Sequence, residues 1–380
     1  MLKKYGMVTT FLISLFLLSN GYAEAPDIVK LALLDGPYKE MPLVPYLSEY
    51  EKAYFAGVEV AAKIAKKYNV EIKYKSFLYG KGSLDILAEI PKISQWQPDL
   101  IIGPNSSDQV LLLRNYFPNV MVLSAYASGD ALQSLPKNFY STFLPDSRIM
   151  ELLSKFVKTK FPQRNIYIIV QTDCKQCVDA SRLFIANHKK ISSATKITEN
   201  KLIMDDIKSI DSRRLMVGHT DDVILVFNDA YYAYNVFVTH IISSFPNKDL
   251  IFISDQDNWS NEVDGQVHKF DLTYESYRIG PILFDNNLLE FKNFSEAYYQ
   301  NYNKKPSDAI SYLTYRTILS AIEALHQFHP SILNKNMRER VLYSYFAALQ
   351  KNPDWFRSNA YGIYRLTSKG EVLVEKLSIS

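Results

Sequence analysis

Two cysteines stand three residues apart, as Cys174-Lys175-Gln176-Cys177, at the start of a predicted helix. A C-x-x-C pair in that position can lower the pKa of one thiol and support disulfide exchange. The flanking residues lack the aromatic and Gly/Pro setting of thioredoxin-like motifs, and an exported cysteine pair usually oxidises into a local disulfide. No His lies close enough to complete a four-ligand metal site. We therefore predict a structural disulfide between Cys174 and Cys177.

Other catalytic motifs are absent from the sequence. It contains no G-x-S-x-G, no phosphate loop of the G-x-x-x-x-G-K type and no H-E-x-x-H. No Asp or Glu pair stands out as a glycosidase dyad. We expect a protein that is not an enzyme and holds neither cofactor nor metal. The six histidines stand singly, at positions 188, 219, 240, 268, 326 and 329.

Asn105, Ser106 and Ser107 stand between the end of a predicted strand and the start of a predicted helix. Free backbone amides at a helix N-terminus, the helix dipole and serine hydroxyls can together hold a carboxylate. The plainer alternative is that Ser106 or Ser107 only caps the helix. Both alternatives stay open at this point.

The composition describes a large folded chain. Of 380 residues, 47% are hydrophobic and 22% are charged, which excludes disordered, collagenous and small disulfide-scaffold classes. The length predicts about two domains. The net charge is only +3, so the balance does not favour binding to nucleic acid or to an anionic membrane. A small-molecule partner is expected.

Residues 1–23 have the three parts of a secretory signal peptide. Lys3 and Lys4 precede an apolar run over 7–18, and small residues follow in the segment 21–23. The apolar run is shorter than the roughly 20 residues that a membrane-spanning helix requires. We therefore predict export, with a bacterial periplasm as the expected compartment.

Cleavage is expected after Ala23. A cut after Ala25 would place Pro26 directly beyond it, which signal peptidases handle poorly. The first cysteine is Cys174, so no cysteine stands at the cleavage point to carry a lipid anchor. The mature chain is expected to be freely diffusing.

The mature sequence alternates short apolar runs with amphipathic segments, the pattern of an α/β fold with parallel sheets. The alternation restarts midway, which predicts two similar units. In the first unit we predict strands over 28–34, 70–77, 99–102 and 120–124 and helices over 50–68, 83–95 and 107–116. In the second we predict strands over 166–171, 222–227 and 250–253 and helices over 146–161, 178–188 and 230–244. Helices over 307–328 and 337–350 and a hairpin of 361–366 with 372–377 follow.

The order of these landmarks resembles the type I periplasmic binding proteins, specifically the branched-chain amino-acid binding group of ABC importers. The likeness covers residues 27–380 and depends on order and spacing, since no single motif is specific. The segments that carry it are Gly36-Pro37, Tyr54-Phe55-Ala56-Gly57-Val58-Glu59-Val60-Ala61, Ile101-Ile102-Gly103-Pro104-Asn105-Ser106-Ser107, Ser124-Ala125-Tyr126-Ala127-Ser128, Pro306-Ser307-Asp308 and Tyr361-Gly362.

The resemblance implies two Rossmann-like lobes. Each would be built from non-contiguous segments, because chains of this family cross between lobes three times. Lobe 1 would take 27–143 and 279–360, and lobe 2 would take 144–278 and 361–380. The ligand would then lie in the cleft between the lobes. This position agrees with the general rule that open α/β sheets bind ligands at the carboxyl ends of their strands.

The resemblance also assigns candidate binding residues. It places Ala127 and Ser128, with Asn105, Ser106 and Ser107, at a ligand carboxylate; the alternative for Ala127 and Ser128 is a plain turn. Tyr50 matches an aromatic residue that lines the family's pocket. Tyr231 follows a strand end in lobe 2, where an aromatic rim suits a small-molecule cleft, but most of the 27 tyrosines must be packing residues.

The family's amine partner is not matched. Amino-acid binders of this group place an acid where this chain has Gln256, and an amide pairs with an ammonium less strongly than a carboxylate does. Asp255 and Asp257 flank Gln256, and Asp229, after the preceding strand, is an alternative partner for the amine. The sequence thus leaves open an amino acid or another small polar molecule as the ligand.

We predict an extracytoplasmic solute-binding protein that closes on its ligand by hinge bending and delivers it to the permease of an ABC importer. A sensor module for a membrane receptor or kinase is the main alternative, and a thiol-disulfide enzyme using Cys174 and Cys177 is a weaker one. We expect no nucleic-acid partner and no membrane insertion of the mature chain.

Overall fold

The structure is a computed structural model, and its described residues form two β-sheets with helices on their faces. The described residues are 26–34, 45–77, 84–104, 106–134, 138–203, 211–227, 238, 240–254, 274–282, 289–306, 309–327, 335–351, 361–367 and 370–377.

The first sheet has five parallel strands in the order β2-β1-β3-β4-β5. Strands β3 and β4 are buried along their whole length, because helices cover both faces of the sheet. The strands are β1 (Asp27–Leu33), β2 (Val70–Ser76), β3 (Leu100–Ile102), β4 (Met121–Ser124) and β5 (Phe139–Ser141), and the helices between them are α1 (Pro45–Ala65), α2 (Ile90–Trp96) and α3 (Ser107–Leu113).

The second sheet has seven strands in the order β12-β11-β10-β9-β8-β6-β7. Strands β6 to β10 are parallel, and the last two strands form an antiparallel hairpin that continues the sheet beside β10. The elements are α4 (Asp146–Lys160), β6 (Ile166–Gln171), α5 (Lys175–Ile191), β7 (Ile197–Leu202), α6 (Ser212–Leu215), β8 (Val223–Phe227), β9 (Ile251–Ser254), β10 (Glu275–Pro281), β11 (Tyr361–Thr367) and β12 (Gly370–Leu377).

Three helices that follow β10 return to the first sheet: α7 (Leu289–Tyr302), α8 (Ala309–His326) and α9 (Lys335–Lys351). Phe294 of α7 and Tyr315 of α8 share one hydrophobic cluster with Val29 and Leu123 of that sheet. The chain therefore passes between the two units after β5, after β10 and after α9. This confirms the predicted α/β fold with three crossings.

Gly57 lets two of these helices approach closely. A Cβ at this position of α1 would overlap the carbonyl oxygen of Ser311 and lie 2.9 Å from Cβ of Thr314, both on α8. Only a residue without a side chain fits there. The glycine in the predicted helix thus serves packing between α1 and α8.

Most predicted elements are present within a few residues, but five of the described elements were missed, among them α6, which has only four residues. Strand β5 has only three residues, and β7 is an edge strand with exposed polar positions, so neither carries the apolar run of a buried strand. Strand β10 begins with Glu275 and contains a buried Arg, which hides its apolar pattern. Helix α7 is rich in aromatic residues and exposes Tyr299 on its polar face, which obscures its amphipathic pattern in the sequence.

Candidate ligand site

The loops that follow β3 and β4 are joined by hydrogen bonds. The Ser124 hydroxyl at the end of β4 donates to the carbonyl of Pro104, at 2.9 Å, and accepts the backbone amide of Ala127, at 3.0 Å. The peptide between Gly103 and Pro104 is cis. These contacts bring the two strand ends to one place on the first sheet's carboxyl edge.

Ser107 and Ser128 are brought close together by the same loops. The amide of Gly129 donates to the Ser107 hydroxyl at 3.0 Å, and a Cβ at Gly129 would overlap the Ser107 side chain. Ala127 and Ser128 are both buried, at 1% and 6% exposure. The neighbouring residue Asn105 lies outside the described residues.

The serines do not act as simple helix caps. Ser106 is the N-cap residue of α3, and its side chain makes no capping hydrogen bond. The Ser107 hydroxyl accepts a bond from the other loop, as described above. A hydroxyl that accepts one bond can still donate its own proton, so Ser107 remains suited to a carboxylate acceptor.

The first crossing between the units is pinned to these loops. The amide of Asp146 donates to the carbonyl of Ser128 at 2.9 Å, and the Ser128 side chain bonds the Asp146 carboxyl group. Next to it, the amide and the hydroxyl of Ser147 both donate to the carboxylate of Asp130. The start of α4 is therefore fixed against the loop that follows β4 of the first sheet.

Asp146 lies in the candidate site, although no pattern in the sequence indicated it. Burial raises the pKa of its carboxyl group to about 6; the hydrogen bond from Ser128 opposes this rise, and the charges of Asp130 and Asp179 add to it. The sequence showed only an acid at a helix start. Its burial follows from long-range packing, which no local pattern reports.

The first and third crossings contact each other. The Phe143 ring lies between Tyr126 and Tyr361, with ring centroids 5.6 Å and 5.8 Å away. The amide of Leu144 also donates to the Tyr361 hydroxyl, at 3.2 Å. This packing forms a compact region where the chain passes between the units.

On the second sheet, the strands end in buried polar residues. Gln171 is the last residue of β6 and Ser254 the last of β9, and both are buried. Asp229, Tyr231, Asp255 and Gln256 follow the ends of β8 and β9 and lie outside the described residues. Tyr50 lies within α1, and its side chain is outside the described part of the structure.

Cys174 and Cys177 form a disulfide at the start of α5, with their Cα atoms 5.3 Å apart. Both residues are buried in the second unit's core cluster. Exchange chemistry needs an accessible sulfur, so this burial disfavours a redox enzyme. Lys175, inside the disulfide loop, reaches Asp108 of α3 with its ammonium nitrogen 3.3 Å from the carboxylate.

Within the described ranges, no group of three or more His, Cys, Asp or Glu residues could hold a metal ion. Among the same residues, no helix has both the length and the hydropathy to cross a bilayer.

Solved structures share this fold over nearly the whole chain. One is the leucine-binding protein LivK of Thermotoga maritima, with TM-score 0.71 and 11% identity over 92% of this chain and 99% of that one. Another is LivJ of Streptococcus pneumoniae in complex with isoleucine, with TM-score 0.72 and 14% identity over the same shares. A third is a solute-binding protein from R. palustris in complex with benzoate, with TM-score 0.71 and 12% identity over 92% and 96%.

The fold is therefore that of the type I periplasmic binding proteins, and its neighbours are substrate-binding proteins of ABC transporters. At these identities the likeness establishes the fold. No protein-family model and no curated protein sequence matches the chain.

Proposed function

We propose that this chain is an extracytoplasmic solute-binding protein that holds a small polar carboxylate or amide between two lobes and delivers it to an ABC importer. The observation that carries the proposal is the junction of the Ser107 and Ser128 loops with the start of α4. At this junction the ends of β3 and β4 lie beside the start of α4, where the chain crosses between the units. A cleft that closes on a solute needs its binding loops at such a crossing.

The proposed lobes are 27–143 with 279–360, and 144–278 with 361–380. The packing of α7, α8 and α9 on the first sheet supports this division. The proposed solute contacts are those of the sequence analysis. From lobe 1 these are Tyr50, Asn105, Ser106, Ser107, Ala127 and Ser128, and from lobe 2 they are Asp229, Tyr231, Asp255 and Gln256.

The ligands named for the neighbours support a carboxylate. Leucine-binding, isoleucine-bound and benzoate-bound proteins share the fold, and leucine, isoleucine and benzoate each carry one carboxylate. The remaining parts of the proposal are removal of residues 1–23 by cleavage after Ala23, residence in the periplasm and docking on a permease. The signal-like sequence and the fold support them.

The test is a thermal-shift screen of residues 24–380 with leucine, isoleucine, benzoate and other small carboxylates and amides. A solute present at about 100 times its dissociation constant stabilises the folded protein by about 2.7 kcal/mol, which raises the melting temperature by several degrees. We expect at least one solute to do so in a saturable manner. Failure of every solute, together with hydrolase or thiol-disulfide turnover, would contradict the proposal.

A further inference from the structure

Ser107 and Ser128 both belong to the proposed carboxylate site, but their hydroxyl groups have different partners. The Ser107 hydroxyl accepts the amide of Gly129 at 3.0 Å, so its own proton can still be donated to a solute. The Ser128 hydroxyl donates to the carboxyl group of Asp146. A serine hydroxyl has one proton, and an ionised carboxylate can only accept hydrogen bonds. While Asp146 is ionised, Ser128 therefore has no proton for a solute carboxylate.

Asp146 is held beside Ser128 by the backbone as well as by its side chain. Its amide donates to the carbonyl of Ser128 at 2.9 Å. The next residue of α4, Ser147, donates its amide and its hydroxyl to the carboxylate of Asp130, which lies in the same loop as Ser128. Two consecutive residues of the first crossing are thus bonded to one loop, and this keeps the Asp146 carboxyl group at Ser128.

The charged groups that act on the Asp146 carboxyl group are both acidic. They are Asp130, in the loop after β4, and Asp179, on α5. The basic side chains in the first halves of α4 and α5 are each paired with an acid: Arg148 with Glu151, Lys175 with Asp108 and Arg182 with Asp179. Burial and the two acids raise the pKa of Asp146 to about 6, and the residue is only partly buried. Asp146 can therefore exchange a proton with water near neutral pH.

We propose that this site binds a solute carboxylate together with one proton, which Asp146 takes up from water, and that Asp146 thereby determines whether Ser128 can donate to the solute. This inference rests on the proposed function and deepens it, because it states when the site accepts an anion. The proton forms an O–H bond on the Asp146 carboxyl group, which becomes neutral and donates to the Ser128 oxygen. The Ser128 proton is then donated to the solute carboxylate. Proton uptake thus supplies a hydrogen-bond donor and removes a negative charge that would repel the solute.

The same geometry distinguishes a carboxylate from a primary amide. An amide has N–H donors as well as a carbonyl acceptor, so an N–H group can bond the Ser128 oxygen while Asp146 stays ionised. An amide also brings no charge to Asp146. It therefore needs no proton, and a rise in pH should weaken the binding of carboxylates alone.

The experiment titrates residues 24–380 with benzoate, L-leucine and benzamide by calorimetry between pH 5.5 and pH 8.5. Each titration is run in two buffers of different ionisation enthalpy, because the difference in heat counts the protons taken up. Both carboxylates are almost fully ionised over this range and take up no proton themselves. We expect a bound carboxylate to bring about one proton at pH 7.5 and to lose about tenfold in affinity for each pH unit above 7. Benzamide should bring none and keep a constant affinity.

Asp146→Asn tests the residue itself. Its side-chain amide is neutral at every pH and can always donate to the Ser128 oxygen. We expect the variant to bind a carboxylate without proton uptake, and at pH 8 about 10- to 100-fold more tightly than wild type. The matched control is Asp221→Asn, which removes an 87% exposed carboxylate 3.7 Å from Lys248. The control should keep the proton count and the pH profile of wild type.

Binding of a carboxylate by wild type at constant affinity and without proton uptake would overturn the inference and leave the proposed function standing. Wild-type proton uptake in Asp146→Asn, or equal proton uptake with benzamide, would do the same. If Asp146→Asn does not fold, the NMR signal of the Asp146 carboxyl carbon in wild type is followed at pH 7.5. It should move to its protonated position when the carboxylate binds, and an unchanged signal would refute the inference. If wild type binds none of the three probes at any pH, the proposed carboxylate site fails and the inference fails with it.

Discussion

Among the described residues, the first unit contacts helices α4 and α5 of the second unit at a buried place and at an exposed place. At the buried contact, Ser128 and Asp130 bond the start of α4, and the Asp146 carboxyl group is withdrawn from water. At the exposed contact, Lys175 and Asp108 form an ion pair whose side chains are 74% and 49% exposed. Burial shifts the pKa of a carboxyl group and thereby makes protein stability depend on pH. An exposed ion pair contributes little to stability because water screens its charges.

The comparison shows that the crossing is not built for maximal stability. Burial raises the pKa of Asp146 to about 6, so its ionised form is less stable in the folded protein than in the unfolded chain. An uncharged residue of the same shape would avoid that cost. Strongly shifted pKa values are most frequent at functional sites. The raised pKa of Asp146 therefore agrees with the proposed role of this crossing in solute binding.

The largest expected effect is that of Asp146→Asn. Because the folded pKa of Asp146 is raised, its favourable contribution is complete below the unfolded pKa, near 4, and is lost as the pH rises through about 6. At pH 7 the variant should therefore be more stable than wild type by about 1–3 kcal/mol, with little gain at pH 4. Urea unfolding across pH 4–7 measures this, with Asp221→Asn, at an 87% exposed carboxylate, as control. A gain that does not depend on pH would contradict the account.

His188 tests the packing of the two helices that carry these contacts. It lies on α5 against α4, is 1% exposed, and burial lowers the pKa of its imidazole. A lowered folded pKa gives stability that is present above the unfolded pKa, near 6.5, and lost as the pH falls. His188→Leu should remove this acid sensitivity, so the stability of the variant relative to wild type should rise as the pH falls from 7 to 5. Equal acid sensitivity in wild type and His188→Leu would show that another group is responsible.

Ser128→Ala removes the hydroxyl that bonds the Asp146 carboxyl group. The hydrogen bond from Ser128 lowers the pKa of Asp146, so its loss should raise that pKa further. We expect the variant to lose about 1 kcal/mol of unfolding free energy at pH 7, the typical value of one hydrogen bond. The pKa of Asp146, followed by NMR of its side-chain carboxyl carbon, should rise in Ser128→Ala and stay unchanged in Ser106→Ala. An unchanged pKa in both variants would place Ser128 outside the contact.

The exposed ion pair should give the smallest effect. A double-mutant cycle with Asp108→Asn and Lys175→Gln should yield a coupling free energy of about 0.5 kcal/mol or less, because both side chains are largely in water. At 1 M salt the coupling should vanish, since the screening length is then about 3 Å. A coupling above 1 kcal/mol that persists in salt would mean that the pair is shielded from solvent.

The sequence predicted those parts of the fold that depend on local patterns. Strands β6 and β8 are continuous apolar runs and were placed within one residue, whereas β7, an edge strand with exposed polar positions, was missed. Helix α5 begins at Lys175, earlier than predicted, because Cys174 caps it through its sulfur and not through an oxygen. Local hydrophobic patterns indicate which residues of a helix or strand are buried. They do not reveal a helix cap formed by an unusual side chain such as cysteine.

The site was predicted only in part, for the same reason. Ser107 and Ser128 follow neighbouring parallel strands, so the topology predicts that they lie close together, as they do. Asp146 acquires its raised pKa from burial against distant segments, which only the folded chain reveals. Long-range register, and not residue type, decides such positions.

The most direct test of the central claim is mass spectrometry of the small molecules released when natively purified residues 24–380 are denatured. The account predicts a single low-molecular-mass carboxylate, released in near-stoichiometric amount. Release of no small molecule, combined with no uptake of any from a cell extract by the stripped and refolded protein, would contradict the claim that the chain binds a solute.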